Sequence, residues 1–268
     1  MISPLASIHP NAKLGNNVTI DPFAVIHDQV TIGDGTHVMS HAVVMPYTTI
    51  GKNCRIFPGA VLGAVPQDLK FEGEEATVEI GDNTTIRECV TVNRGTKDKM
   101  KTVVGSNCLL MAYTHIAHDC ILGDHVILAN SVQLAGHVEV GDYAIIGGMT
   151  GAHQFTRIGA HTYIGGHSVI RKDVPPYVKA AREPMVFMGL NIVGLHRRNF
   201  SPEQIETIQK LYHLLFIANS NTSTAIKQIS EQVADNEARE NILQFIQTSK
   251  AGIIRRYSKN GQDEDQAF

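Results

Sequence analysis

The chain has 268 residues, 43% hydrophobic and 18% charged, the balance of a soluble globular protein long enough for one large domain or two ordinary ones. Its 23 basic side chains against 26 acidic ones leave a formal charge of −3, which supplies no general pull toward nucleic acid or anionic membrane surfaces, and both partner classes are set aside. No stretch reaches the roughly 18 apolar residues of a membrane span, and Met1-Ile2-Ser3-Pro4 lacks the basic segment of a signal peptide, so a cytoplasmic location is expected.

From Ile2 onward, every sixth residue is branched aliphatic: Ile8, Leu14, Ile20, Ile26 and so on to Leu62. The same phase resumes at Ile80, Ile86 and Val92, and again from Val104 to Ile170, with Ala152 as the single smaller member. Period six matches neither the 3.6 of a helix nor simple alternation, whereas short strands joined by tight turns around a prism produce it. Three hexads make one coil, successive coils stack at about 4.8 Å, and the array spans nearly nine of them. Few aromatics (6%), no Trp and 23 Gly suit such a scaffold. The residue after the aliphatic is often Gly (Gly15, Gly33, Gly51, Gly81, Gly105), as a turn needing positive φ would favour. The slot two before the aliphatic is small, and it holds Cys54, Cys108 and Cys120. With Cys89, which forms no CxxC pair with any of them, all four cysteines read as reduced, buried small residues.

Two insertions interrupt the ladder, near 64–79 and 97–103, and loops extruded from a regular scaffold are common places for function. The repeat stops at Asp173-Val174-Pro175-Pro176. Ser201-Pro202-Glu203-Gln204 then predicts a capped helix start with Pro in the first turn, and two more helices fit Thr224 to Ala234 and Glu237 to Lys250. The expected organisation is mainly β: a parallel β-helix over 1–178, a linker over 179–200, a small α-helical C-terminal domain over 201–257 and a frayed tail over 258–268.

Among thirteen histidines, the informative group is His115, His118, His137 and His153 with Asp119. One coil is 18 residues, so His137 and His153 fall within one residue of one and two coils after His118. Three chemistries fit: a general base oriented by a carboxylate, a zinc site that activates water, or polar side chains satisfied at a surface.

Longer segments carry a resemblance. Asp68-Leu69-Lys70, His115-Ile116-Ala117-His118-Asp119-Cys120, Leu134-Ala135-Gly136-His137-Val138, Gly147-Gly148-Met149-Thr150, His153-Gln154-Phe155, Asp173-Val174-Pro175-Pro176-Tyr177-Val178 and Asn191 through Arg198 resemble the UDP-N-acetylglucosamine O-acyltransferases that begin lipid A synthesis. The resemblance covers almost the whole chain. It implies a left-handed parallel β-helix assembled as a homotrimer, with sites in the grooves between subunits. It also implies transfer of an (R)-3-hydroxyacyl chain from acyl carrier protein to the sugar's 3-hydroxyl, without cofactor, metal or covalent acyl-enzyme. His118 would take the hydroxyl proton, Asp119 would orient it, and the Gly136 N–H would face the oxyanion. Asp68, Lys70, His115, His137, His153, Gln154, Asn191, Arg197 and Arg198 would hold the nucleotide sugar and the phosphopantetheine arm. Gly166 falls where the family sets acyl length, and a bare residue there implies a long chain.

This chain departs from the family pattern at Asn93, where His is usual, and Val193, where Glu is usual. Both bear on acceptor recognition, and a 3-amino analogue acylated on nitrogen is the alternative acceptor. From Ser168 to Phe200, Arg171, Lys172, Lys179, Arg182, Arg197 and Arg198 outnumber Asp173 and Glu183, a net +4 suited to an acidic carrier. Lys250, Arg255, Arg256 and Lys259 add to it. Two other readings of the architecture are a trimeric zinc carbonic anhydrase using His115, His118, His137 and His153, and a passive binding solenoid. The helical end and the Asn191–Arg198 segment are not needed by the first.

Overall fold

A computed structural model describes residues 1–218 and 221–256; the tail expected over 258–268 and Lys259 lie outside them. The hexads form mostly two-residue strands separated by tight turns, arranged in three sheets of nine, eight and eleven strands that are parallel throughout except where Val178–Ala181 pairs antiparallel with Val186–Leu190. Residues 18 apart are opposite one another: Ser7 faces Val25 and Ile8 faces Ile26 in the first sheet, and Leu109 faces Ile127 in the third. This is a left-handed parallel β-helix, closed at its C-terminal end by a small group of helices.

The insertions leave the phase of the repeat intact. Val61 pairs with Thr91, 30 residues on, and Thr91 with His115, 24 on, so the two loops add twelve and six residues to an 18-residue coil. Whole hexads are extruded and the ladder closes again around them. Ile20, Ile56, Leu62, Ile86, Leu110, Ile116 and Leu134 are all almost fully buried, whereas Ile2 at the open first coil is 51% exposed. The ladder stabilises by covering aliphatic surface from both sides, which the terminal coil lacks on one side.

Two expectations need correction. Among the glycines that follow the ladder aliphatic, the left-handed φ falls on Gly63 (φ 81) but not on Gly15, Gly33, Gly51, Gly81 or Gly105. Mostly it falls three residues after the aliphatic, at Asn17, Phe23, His41, Asp119 and His137 among others. The glycines answer a different constraint: a Cβ on Gly33 would lie 2.6 Å from the carbonyl carbon of Gly51 in the next coil, so close backbone stacking excludes a side chain there. Cys54, Cys108 and Cys120 are buried, and burial pushes the Cys108 and Cys120 thiols up to about 11 and about 12. Cys89 is exposed, because it occupies the left-handed turn position (φ 56) rather than the inward slot.

Residues 178–200 contain strands Val178–Ala181 and Val186–Leu190, which extend the third sheet, and helix α1, Ile192–Arg197. Helix α2, Pro202–His213, starts at a capping box in which Ser201 and Gln204 satisfy each other's backbone N–H. It runs into a π-helical turn, Leu214–Ala218, and is followed by α3, Thr222–Gln232, and α4, Glu237–Gln247. The helices share one core with the last coil: Leu195, Ile208, Leu211, Ile229 and Ile242 join Ile164 and Ile170. The buried Tyr212 hydroxyl donates to the Pro176 carbonyl at 2.6 Å. No helix among the described residues is long and apolar enough to cross a membrane.

Candidate active site

Stacking by 18 places Asp119, His137 and Phe155 above one another at one corner of the prism, all with left-handed backbone (φ 60, 63 and 64). Asp and His are among the side chains that tolerate this region, so the turn that shapes the solenoid also presents the polar groups outward. His118 precedes Asp119, and its carbonyl accepts from the His137 N–H at 3.0 Å, locking the two turns together.

Asp119 is fully buried. Its Oδ1 accepts from the N–H groups of Thr96 (3.0 Å) and Lys99 (3.2 Å), and its Oδ2 from the Thr96 hydroxyl (2.6 Å) and His118 Nδ1 (2.8 Å). Burial alone would raise this carboxyl, yet the hydrogen bonds from Thr96 and His118 outweigh it and hold Asp119 below the usual carboxylate range. An ionised carboxylate only accepts, so His118 Nδ1 carries the hydrogen of this bond, and in the neutral ring the lone pair is on Nε2. That nitrogen faces Asp68 Oδ2 of the first insertion at 3.8 Å.

Gly136 lies against the same edge of the ring. A Cβ built on it would sit 2.6 Å from both Cε1 and Nε2 of His118. Its backbone N–H has no hydrogen-bond partner among the described residues. His137 meets His118 edge to face at 5.1 Å and stacks on Phe155 at 4.4 Å. Its Nδ1 lies 3.2 Å from Asp98 Oδ2, without the alignment of a hydrogen bond. Burial lowers the His137 pKa against the opposing pull of Asp119. Burial, then His118, lowers that of His115, whose Nδ1 is 2.7 Å from the Thr91 hydroxyl. His118 is thus flanked by two imidazoles that favour the neutral form.

The remaining expected site residues divide. His153 and Gln154 are exposed on the following coil, in the turn that leads to Phe155, and Lys70 is exposed on the first insertion. Asn191 and Arg198 stand at a second corner. Asn191 caps α1, accepting from the Gly194 N–H and donating to the His161 carbonyl. Arg198 donates to the Tyr143 carbonyl at 2.8 Å with its guanidinium 5.2 Å from that ring's centre, and Arg197 is exposed beside it. Gly166 is exposed at the third corner, near Gly148. Within one chain, therefore, Asp68, His115, His118, Asp119, Gly136 and His137 are brought together, whereas Asn191, Arg197, Arg198 and Gly166 are not among them.

Of the residues named for zinc, His118 and His137 come together with Asp119, their ligand atoms within 4.8 Å of one another. His153 is not in this group. The Asp119 oxygens already accept four hydrogen bonds, which leaves the carboxylate ill suited to a metal.

Asn93 is 3% exposed, its amide donating to the Val65 carbonyl, and Val193 is 62% exposed on α1. Thr96 and Lys99 were not legible as partners of Asp119. The one signal was the position of the second insertion, immediately before the coil that carries His118.

The second corner makes a prediction about acid. His161, stacked between Tyr143 and Tyr177, is pushed down to about 4 by burial and then by Arg198, with Asp142 opposing. Because the folded pKa lies below the ordinary 6.5, the unfolded chain binds the extra proton first. The stabilising contribution of the neutral ring is complete above about pH 6.5 and is lost as pH falls toward 4. We expect the fall in melting temperature between pH 7 and 5 to be smaller in His161→Phe, which keeps the stack, than in the unsubstituted protein. Equal falls would refute the assignment.

Comparison with known proteins bears on the whole chain. Residues 173–254 match the family model described as UDP-N-acetylglucosamine O-acyltransferase, domain 2, and residues 11–45, 29–64 and 101–136 match the bacterial transferase hexapeptide model. The chain is 44% identical over 255 residues, 95% of its length and 99% of the relative's, to an acyl-[acyl-carrier-protein]–UDP-N-acetylglucosamine O-acyltransferase of Thiobacillus denitrificans. The crystal structure of a UDP-N-acetylglucosamine acyltransferase from Bacteroides fragilis 9343 superposes with a TM-score of 0.94 at 49% identity, covering 95% of this chain and 100% of that one. The Arabidopsis UDP-N-acetylglucosamine acyltransferase gives 0.85 at 33% identity, with 95% and 100% covered.

Proposed function

The chain belongs to the UDP-N-acetylglucosamine O-acyltransferase family, and from that premise we propose that it moves an (R)-3-hydroxyacyl chain from acyl carrier protein to the 3-hydroxyl of UDP-N-acetylglucosamine, the first step of lipid A biosynthesis. The observation that carries this reading is the buried His118–Asp119 pair, with its free Nε2 turned toward Asp68 and the Gly136 backbone.

In the step that follows, His118 Nε2 takes the proton of the sugar hydroxyl as its oxygen attacks the thioester carbonyl. The Asp119 carboxylate, fixed on the far side of the ring, stabilises the imidazolium. The carbonyl oxygen becomes an oxyanion that the Gly136 N–H receives, a type of donor that contributes roughly 10²- to 10³-fold. Collapse expels the carrier's thiolate, which recovers the proton from His118, so no acyl group passes through the enzyme. Asp68, Lys70, His115, His137, His153 and Gln154 line the sugar and donor side. Asn191, Arg197 and Arg198 bind the charged parts, the guanidinium fork suiting a diphosphate. In a homotrimer each His118 corner lies against the second corner of a neighbouring copy, which is how separate corners of the prism share one site. The basic groove formed by Arg171, Lys172 and Arg255, with Pro184, Met185 and Val186 at its floor, suits the acidic carrier.

Gly166 sets acyl length in this reading. A side chain there would start 3.1 Å from the Gly148 carbonyl and fill the space beyond it. Gly166→Met is expected to shift preference toward shorter acyl donors in a competition assay, and an unchanged preference refutes the role. The function is tested by presenting labelled 3-hydroxyacyl carrier protein with UDP-N-acetylglucosamine and its 3-amino analogue. Preferred acylation of the ordinary sugar supports it. Preference for the amino sugar would make Asn93 and Val193 its specificity determinants, and transfer to neither by folded protein would overturn it.

A further inference from the structure

We propose that Thr96 is a positioning residue for this reaction: its hydroxyl and backbone N–H hold the Asp119 carboxylate in the one orientation that aims Oδ2 at His118. The inference rests on the reading of His118 as the proton acceptor. Asp119 has two rotatable torsions and a left-handed backbone, and nothing intrinsic fixes its carboxylate plane. Four donors fix it here, and three of them come from one short segment, the Thr96 N–H, the Thr96 hydroxyl and the Lys99 N–H. The fourth is His118 itself. The Asp119 main chain is tied separately, its N–H donating to the Thr102 hydroxyl at 2.9 Å.

The segment is built to deliver these donors. The Met100 N–H donates to the Thr96 carbonyl at 2.8 Å, closing the turn, and Lys99 Nζ pairs with Glu139 at 2.8 Å, pinning its far side to the wall. Thr96 is only 7% exposed, whereas Lys97, Asp98 and Met100 beside it are exposed. The second insertion is therefore a clamp on the dyad rather than a tolerated excursion. Its hydroxyl also has an electrostatic effect, because Thr96 Oγ1 and His118 Nδ1 share one oxygen. A donor on that oxygen draws charge from it and weakens its hold on the imidazolium.

Removing the hydroxyl has two consequences that a merely structural residue would not produce together. The carboxylate gains freedom, so kcat falls by roughly ten- to a hundredfold with little change in KM for the sugar. The oxygen facing His118 becomes more basic, so the acid limb of the kcat profile moves to higher pH. The other groups facing the dyad are Asp68, His115, His137, Asp98, Lys99 and the neutral Cys120 thiol, and all are left unchanged.

The experiment measures kcat, KM and the pH profile for the wild type, Thr96→Val, Thr96→Ser and His118→Ala, each checked for cooperative melting. Thr96→Val is expected to show the reduced kcat and raised acid limb, and Thr96→Ser, which restores the hydroxyl, to behave as wild type. If Thr96→Val does not fold, Thr96→Ala removes the same hydroxyl and gives the same readouts. Wild-type kcat and acid limb in the variant lacking the hydroxyl would overturn the proposal, as would equal losses in Thr96→Ser. An inactive wild type, or His118→Ala at full rate, would instead overturn the reading of His118, and this inference with it.

Discussion

Replacing His118 with Ala is expected to lower kcat for acyl transfer by roughly 10²- to 10⁴-fold, the usual contribution of a positioned acid–base group. KM for either substrate changes far less, because the ring acts on the proton in flight. The substitution removes the Nε2 assigned to take the proton, which is left unbonded when Nδ1 is committed to Asp119 at 2.8 Å. His137, its ring centre 5.1 Å away, is not an equivalent base, because neither of its nitrogens makes the carboxylate hydrogen bond that orients His118. The fold survives, for Asp119 keeps three of its four donors. Steady-state kinetics beside a thermal melt checks the result, and retention of the wild-type kcat would remove His118 from the mechanism.

Gly136→Ala is expected to cost nearly as much with a far smaller change in chemistry. A methyl at this position begins 2.6 Å from Cε1 and Nε2 of His118, closer than real contacts allow, and the ring must swing away. A displacement of about 1 Å at a reacting atom costs on the order of 10²-fold in rate. The methyl also stands beside the N–H proposed to receive the oxyanion. Overpacking of this kind destabilises by roughly 1–3 kcal/mol, so the protein still folds. A wild-type kcat in Gly136→Ala would mean that neither the ring edge nor this amide faces the reacting carbonyl.

The scaffold was legible because its physics is one-dimensional. One period, read from Ile2 to Ile170, specified the strands, the small inward slots and the coil length, and the capping box at Ser201 marked where another architecture begins. What was misread concerned backbone detail within the period. Glycine at the ladder's next position looked like a turn signal, whereas it reflects how closely Gly33 meets Gly51, and Cys89 falls on the turn rather than inside. The 18-residue spacing brought His118, Asp119 and His137 together, as expected from arithmetic alone. The register sets His153 on the same corner, over Ala135 and Ala117, in the exposed turn that leads to Phe155. Thr96 and Lys99 were invisible to it, because their contact with Asp119 depends on how an extruded hexad folds back, and no period describes that.

The most direct test of the account is a single-turnover reaction between excess enzyme and labelled (R)-3-hydroxyacyl carrier protein, started with UDP-N-acetylglucosamine and followed by intact mass of the enzyme and by label in the sugar. Direct transfer predicts label passing to the sugar's 3-hydroxyl while the enzyme mass stays unchanged throughout. An acylated enzyme that forms and decays at the rate of transfer, or label that never reaches the sugar, would contradict it.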